Sequence, residues 1–181
     1  FTPSAFPVAD TAMIAPYWAD VDIRGASCSG STGGGVCANP TSNGVWWHTE
    51  PGRMVVTWDH VGYYGCNDDL QMTFQLIMTE ARYCGVSGDF DVEFRYTQCE
   101  WETGDASDGV GGFGGTPAQV GFDAGNLTDF VSIMGSRMDG ISRIACDGSN
   151  VGAPGVWRFR IRRGVVECPD AGDACPLPGA L

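Results

Sequence analysis

Lysine is absent from this 181-residue chain, and histidine occurs only twice. Without lysine, the side chains offer no amine for isopeptide or aldehyde-derived crosslinks, so covalent reinforcement has to come from sulfur. Long apolar runs are also missing, since none approaches the roughly 20 residues that a membrane-spanning helix requires. The sequence therefore predicts no insertion into a membrane.

Basic residues are scarce: ten arginines stand against 22 acids, and the formal net charge is −12. A nucleic acid would be repelled by such a chain, because binding to phosphates depends on cationic side chains that release counterions. The arginines at 158–163 alternate along an apparent strand and are interpreted as a solvated face. Nucleic acid is excluded as a partner.

Cysteine, in contrast, is abundant and even in number, and no pair shows the CxxC spacing of a zinc or redox site. Such a set is typical of an oxidised, exported protein, and metal ligation by the cysteines is the competing reading. Two pairs of cysteines enclose short loops, and this spacing predicts two local disulfides. The other four cysteines allow three pairings. A predicted hairpin between strands 71–83 and 90–101 favours Cys66–Cys99 with Cys84–Cys146. The eight predicted disulfide cysteines are Cys28 with Cys37, Cys168 with Cys175, and Cys66, Cys84, Cys99 and Cys146.

Short runs of β-type residues separated by Gly, Pro, Asn and Asp dominate the chain, and helical spacing is nearly absent. We expect an all-β fold, an antiparallel β-sandwich-like domain with glycine-rich loops that disulfides reinforce. Segment 128–134 fits a strand or a helical turn, and the glycine-rich stretch 104–115 fits a flexible loop or a tight backbone path. The predicted strands are 45–49, 53–61, 71–83, 90–101, 118–124 and 156–163.

Catalytic groups are hard to find. His48 and His60 lie in predicted strands, and no Gly-x-Ser-x-Gly elbow supplies a serine nucleophile for either. Asp59 adjoins His60, but neighbouring strand residues point to opposite faces, so we expect no dyad. The prediction is that the protein is not an enzyme and has no catalytic residues.

Acidic loops leave calcium as the one cofactor with support in the sequence, because calcium takes hard oxygen ligands. Asp20 and Asp22 would project from one side of an extended segment, and Asp105 and Asp108 share a loop. Solvated turn residues are the competing interpretation, and they are favoured.

Adjacent aromatic pairs suggest contact surfaces. Trp46 with Trp47, and Tyr63 with Tyr64, would each place one ring in the core and one outside if the backbone is extended. An outward ring suits a sugar or a partner protein, so carbohydrate binding and subunit contact are both predicted from these four residues.

Seven segments in a fixed order carry a resemblance to a known family: 14–22, 55–64, 73–77, 88–96, 101–107, 118–125 and 155–161. They resemble the nidogen-like extracellular domain, which would cover residues 1–164 and leave 165–181 as a Cys/Pro-rich tail. The resemblance implies an extracellular or cell-surface location, an adhesion or matrix role and no general catalytic activity. The sequence Trp-Glu-Thr-Gly-Asp-Ala-Ser, and the use of arginine as the only strongly basic residue, resemble bacterial members of the family.

Family members usually begin with further strands ahead of the segment that corresponds to Phe1. Their absence here predicts completion by a strand from another subunit, or from a cleaved partner, if the domain is not simply divergent. We therefore expect a structural or adhesive protein whose partners are copies of itself or matrix and cell-surface proteins, and which repeats as the subunit of a filament or matrix. The alternative is a monomeric adhesion domain that depends on carbohydrate or calcium.

Overall fold

The computed structural model describes residues 2–24, 43–81, 88–162 and 164–167. Strands dominate these residues, as predicted, and they form antiparallel pairs throughout. In the described part the elements are β1 (Met13–Trp18), β2 (Val21–Asp22), β3 (Gly44–Glu50), β4 (Arg53–Tyr63), β5 (Asn67–Glu80), β6 (Phe90–Cys99), β7 (Gln119–Asp123), β8 (Phe130–Ser132), α1 (Ile141–Asp147), β9 (Val156–Arg162) and β10 (Val165–Glu167), with a 3₁₀ helix at Asp105–Ser107.

The larger sheet has seven strands in the order β10-β9-β6-β5-β4-β2, and β3 also pairs with β4. Its centre is the predicted hairpin of β5 and β6, which pair from Met72 opposite Cys99 to Glu80 opposite Phe90, with a shift of register between Thr73 and Phe74. Period-two sequences place Phe74, Leu76 and Phe94 on one face, where they are buried. The apolar face of this sheet supplies one wall of the core.

The smaller sheet, β1-β7-β8, supplies the other wall and makes the domain a two-layer sandwich. Tyr17 of β1 packs 5.7 Å from the ring of Phe74, and Phe122 of β7 meets Phe159 edge-on at 5.2 Å. The three-stranded sheet therefore lies over β5 and β9. Segment 128–134, which fitted a strand or a helical turn, contains strand β8.

Trp101 joins the two layers. Its side chain is fully buried, its indole Nε1 donates to the carbonyl of Val61 at 3.0 Å, and its own carbonyl accepts from the Tyr17 hydroxyl at 2.8 Å. A second tyrosine, Tyr96 on β6, donates to the carbonyl of Pro16 at 2.5 Å. These bonds hold β1 against the larger sheet.

Glu102, the next residue, is buried because it caps a helix that the sequence pattern did not predict. Its carboxylate accepts from the amide and hydroxyl of Ser142 and from the amide of Gly140, at the start of α1. A carboxylate at this position satisfies amides that have no partner within the helix.

The glycine-rich stretch after Glu102 is a tight path rather than an open loop. At Gly115, where φ is +60°, an added Cβ would lie 2.3 Å from the Ser107 carbonyl oxygen. Only glycine accepts both this backbone angle and this contact.

A disulfide joins Cys99, at the end of β6, to Cys146 on α1. The favoured pairings Cys66–Cys99 and Cys84–Cys146 are therefore wrong, because the helix, absent from the predicted elements, brings Cys146 to the end of β6. Cys66 is disulfide-bonded as well. The predicted bridges Cys28–Cys37 and Cys168–Cys175, and Cys84, lie outside the described residues.

The arginine-bearing face of β9 is charged in both signs. Arg158 pairs with Glu93 at 2.5 Å, and Arg162 pairs with Asp91 at 2.6 Å. After Gly164, where we placed the domain boundary, residues 165–167 form β10 and continue the larger sheet beyond β9. Among the described residues, no helix has the length and apolarity to cross a membrane.

Candidate interaction surface

Strand β3 lies on the edge of the larger sheet and is exposed on both faces. Only Gly44 is buried, and the six residues that follow it are exposed. The strand pairs along its full length with β4, from Gly44 opposite Asp59 to Glu50 opposite Arg53, without a bulge. Within the described ranges β3 pairs with no other strand, so its outer backbone edge meets no described strand.

The two-residue turn Pro51–Gly52 explains why the sequence forms this hairpin. Proline fixes φ for the first turn position and Gly52 has φ of +76°, the combination that a type II turn needs. β-Branched and aromatic residues then fill the strands on both sides.

The core-facing side of the larger sheet continues, without cover from the described part of the chain, as far as β3. Val45 and Trp47 point to this side, opposite Trp58 and Val56 of β4. Trp58 stacks on Phe74 at 4.8 Å and so connects this region to the core. Exposure rises outward along the sheet, from 9% at Val56 to 71% at Trp47.

We call the β3 strand together with the adjoining exposed residue Met54 the β3 surface. Trp46 and Trp47 point to opposite faces of β3, as expected, but both are exposed, at 47% and 71%, so neither is buried in the core. The reason is that the described residues cover neither face of β3. The sequence pointed to the two tryptophans but missed Val45 and Met54, which are 40% and 38% exposed.

The tyrosine pair follows the expected arrangement. Tyr63 is buried, and its hydroxyl donates to Asp69 at 3.0 Å. Burial, together with that hydrogen bond, raises the pKa of Tyr63 to about 12. Tyr64 is exposed, with the Arg24 guanidinium 5.5 Å from its ring centre, and it lies beyond the β4 positions that pair with β3.

Two of the four predicted calcium residues, Asp20 and Asp22, bind protein donors. Asp20 is buried and accepts from the Ser107 hydroxyl at 2.7 Å, whereas Asp105 and Asp108 are exposed. Asp22 accepts from Arg24 and from the amide of Cys66. In the described ranges no group of three or more His, Cys, Asp or Glu is arranged to hold a metal ion.

Asp22 makes part of the stability depend on pH. Burial opposes its charge, but hydrogen bonds from the Arg24 side chain and from the amides of Arg24 and Cys66 outweigh burial and hold the pKa of Asp22 below its usual range. A lowered folded-state pKa stabilises the fold above the unfolded value of about 3.9, and this contribution is lost as pH falls through the folded pKa.

We expect Asp22→Asn to lower the free energy of unfolding by about 1 kcal/mol at pH 7. The difference from wild type should shrink steadily below about pH 4, as measured by urea unfolding across the acid range. Asp139→Asn removes an equal charge at an exposed position and serves as the control. A difference that stays constant down to pH 2 would contradict the role of the Asp22 charge.

Neither histidine forms a site with a nucleophile from the described part of the chain. His48 is exposed on β3. His60 contacts Asp59 at 2.5 Å, so our expectation that these neighbours point apart is wrong. A bulge between Trp58 and Val61, with φ of +51° at His60, turns the two side chains toward each other. Among the bonds that the described residues make, the His60 ring contacts only Asp59, and the His60 amide donates to Thr73.

A cavity of about 540 Å³ opens between the sheets, at β9 and β10. Apolar side chains line most of it, among them Ile14, Phe122 and Ile161. Asp123 lies at its rim, but its carboxylate accepts from the amides of Val8 and Gly125. A second acid of the lining, Asp129, accepts from the side-chain amide of Asn126. The described lining therefore offers two carboxylates that already bind protein donors, with no histidine or cysteine beside them.

Comparison with known proteins finds a matching family and several relatives. The family model described as "Nidogen-like domain" matches residues 1–163. Alpha-tectorin from Mus musculus and from Homo sapiens is 34% identical to this chain over 175 residues, and alpha-tectorin from Gallus gallus is 36% identical over 174 residues. Each alignment covers 89% of this chain but 8% of the relative, so the chain spans a small part of those proteins. No solved structure matches it.

Proposed function

Because the chain belongs to the nidogen-like domain family, we propose that it is a non-catalytic structural or adhesive domain that acts by contact through the β3 surface. The domain is extracellular, in agreement with its disulfides and its alpha-tectorin relatives. Its partner adds a strand to β3, from another subunit or from a matrix protein.

The observation that carries this proposal is the outer edge of β3, which no strand of the described residues covers. Proteins normally blunt such edges with lysine, proline, bulges or a covering segment. β3 contains no lysine or proline, pairs with β4 without a bulge and carries two exposed tryptophans. An added strand would form main-chain hydrogen bonds along β3, while Trp47 and Val45 would supply apolar contacts at alternate positions.

A second candidate is carbohydrate adhesion, supported by the exposed indoles of Trp46 and Trp47, which could stack on sugar rings. Calcium dependence, filament assembly and a bacterial source stay predictions. The relatives reported above are animal proteins, and Asp20 and Asp22 accept hydrogen bonds from protein donors.

The test is binding of the fluorescently labelled domain to a cell-free matrix laid down by cultured fibroblasts. We expect Trp46→Ser with Trp47→Ser to weaken binding by about tenfold or more, since exposed tryptophans at contact surfaces commonly contribute 2 kcal/mol or more. Val110→Ser with Met134→Ser is the matched control, because these side chains are 84% and 79% exposed but lie outside β3. Equal binding by both double variants would contradict a role for the β3 surface.

Sugars are tested separately. Competition by soluble glycosaminoglycans or oligosaccharides that depends on both tryptophans would favour the carbohydrate candidate over strand addition. Turnover of a substrate by the purified domain would contradict the non-catalytic assignment.

A further inference from the structure

We propose that β3 of a second copy of this chain pairs with β3 in antiparallel orientation, about a two-fold axis that passes through Trp47. This inference rests on the proposed function and identifies the strand that the β3 surface accepts. It joins the two larger sheets into one continuous sheet across the axis.

Self-pairing fits the order of residues along the strand. Trp47 is the central residue of the seven in Gly44–Glu50, so pairing centred on it uses the whole strand. Antiparallel strands related by an axis perpendicular to the sheet keep matching faces on the same side. Trp47 then lies opposite Trp47 of the second copy, on the side that is continuous with the core.

The neighbouring pairs are also compatible. Val45 lies opposite Thr49 of the second copy, which places two β-branched residues together, a favourable cross-strand pair. On the other face Trp46 lies opposite His48 of the second copy. The terminal residue Glu50 lies opposite Gly44, so no two like charges meet directly.

Charge explains why this edge suits a second copy better than most of the surface. The chain carries a net charge of −12, and two copies repel each other wherever their acids meet. β3 carries a single carboxylate, Glu50, and Arg53 pairs with it at 3.2 Å. The edge is thus close to neutral within a strongly acidic protein.

Apolar burial supplies the attraction. Trp47 and Val45 are 71% and 40% exposed, and pairing removes part of both side chains, in both copies, from water. Backbone donors and acceptors along the outer edge of β3 bond across the axis at the same time.

The experiment uses the fact that residue 47 lies opposite residue 47 of the second copy only in this arrangement. Trp47→Asp and Trp47→Arg are made separately, and association is measured by sedimentation velocity and native mass spectrometry. Wild type should dimerise, and each variant alone should show a dissociation constant raised about tenfold or more, because like charges replace a central tryptophan. An equimolar mixture of the two variants should regain the dimer as a heterodimer, which the mass difference between Asp and Arg identifies.

Val110→Asp and Val110→Arg are the matched controls, since Val110 is 84% exposed and lies outside β3. Alone and mixed, they should dimerise as wild type does. Far-UV circular dichroism and the absence of free thiols confirm that all four variants are folded.

Three results would each overturn the inference: a monomeric wild-type chain, dimers that persist in both Trp47 variants, or a mixture that stays monomeric. A monomeric wild type that still binds matrix through Trp46 and Trp47 would leave the proposed function in place. Dimerisation as inferred, without tryptophan-dependent matrix binding, would support the two-fold contact and remove the matrix partner.

Discussion

Replacing Trp101 by alanine should lower the free energy of unfolding by about 3–5 kcal/mol, as for other buried aromatic residues. Its side chain is fully buried and packs edge-on against Tyr17 at 5.6 Å and at 5.8 Å from Tyr63. Removal leaves a cavity between the layers and a Val61 carbonyl without its indole donor. Urea unfolding followed by circular dichroism measures the change.

Met134→Ala is the control, because it removes a large apolar side chain from a position that is 79% exposed and lies outside β3. We expect it to change stability by less than about 1 kcal/mol. Trp101→Phe separates the contribution of packing from that of the hydrogen bond, since it keeps most of the ring volume and loses the indole donor. Similar losses for Trp101→Ala and Met134→Ala would show that Trp101 does not hold the layers together.

Removing the Cys99–Cys146 disulfide by changing both cysteines to alanine should cost roughly 4 kcal/mol, given the length of the loop that it closes. The two residues are separated by 47 positions, so the crosslink greatly restricts the unfolded chain. It also fixes α1 to the end of β6. Denaturant unfolding under non-reducing conditions measures the loss.

Both cysteines are changed together so that no free thiol remains to exchange with the other bridges. Met134→Ala with Met138→Ala serves as the control, because it makes two substitutions within the same loop at exposed side chains and leaves the crosslink intact. A loss below 1 kcal/mol for the cysteine variant would show that the disulfide contributes little to the stability of the fold.

The strands were predictable where the sequence alternates strictly. The sequences of β6 and β9 alternate with a period of two, because one face of each strand points to the core and the other to solvent. The sequence between β5 and β6 is rich in turn-forming residues. β1 was not identified, since its central residues are consecutively buried and include Pro16, so it shows no alternation. α1 was missed because seven residues give less than two complete turns, too few for a helical period to stand out.

The candidate site shows a different limit. Trp46 and Trp47 could be singled out by residue type, but their joint exposure depends on which strand ends the sheet, and that is a property of topology. The pairing of Cys99 with Cys146 depends on where α1 packs. The contact of Asp59 with His60 depends on a bulge that alternation cannot indicate.

The disulfide also has a mechanical consequence. A pull applied at the two ends of the domain reaches the chain before Cys99 and after Cys146, but the crosslink carries the load past everything between them. β7, β8 and α1 as far as Cys146 lie in that protected stretch. Stretching the domain should therefore yield roughly 160 Å less extension than stretching the variant that lacks only Cys99 and Cys146, so this bridge limits how far the unit lengthens under tension.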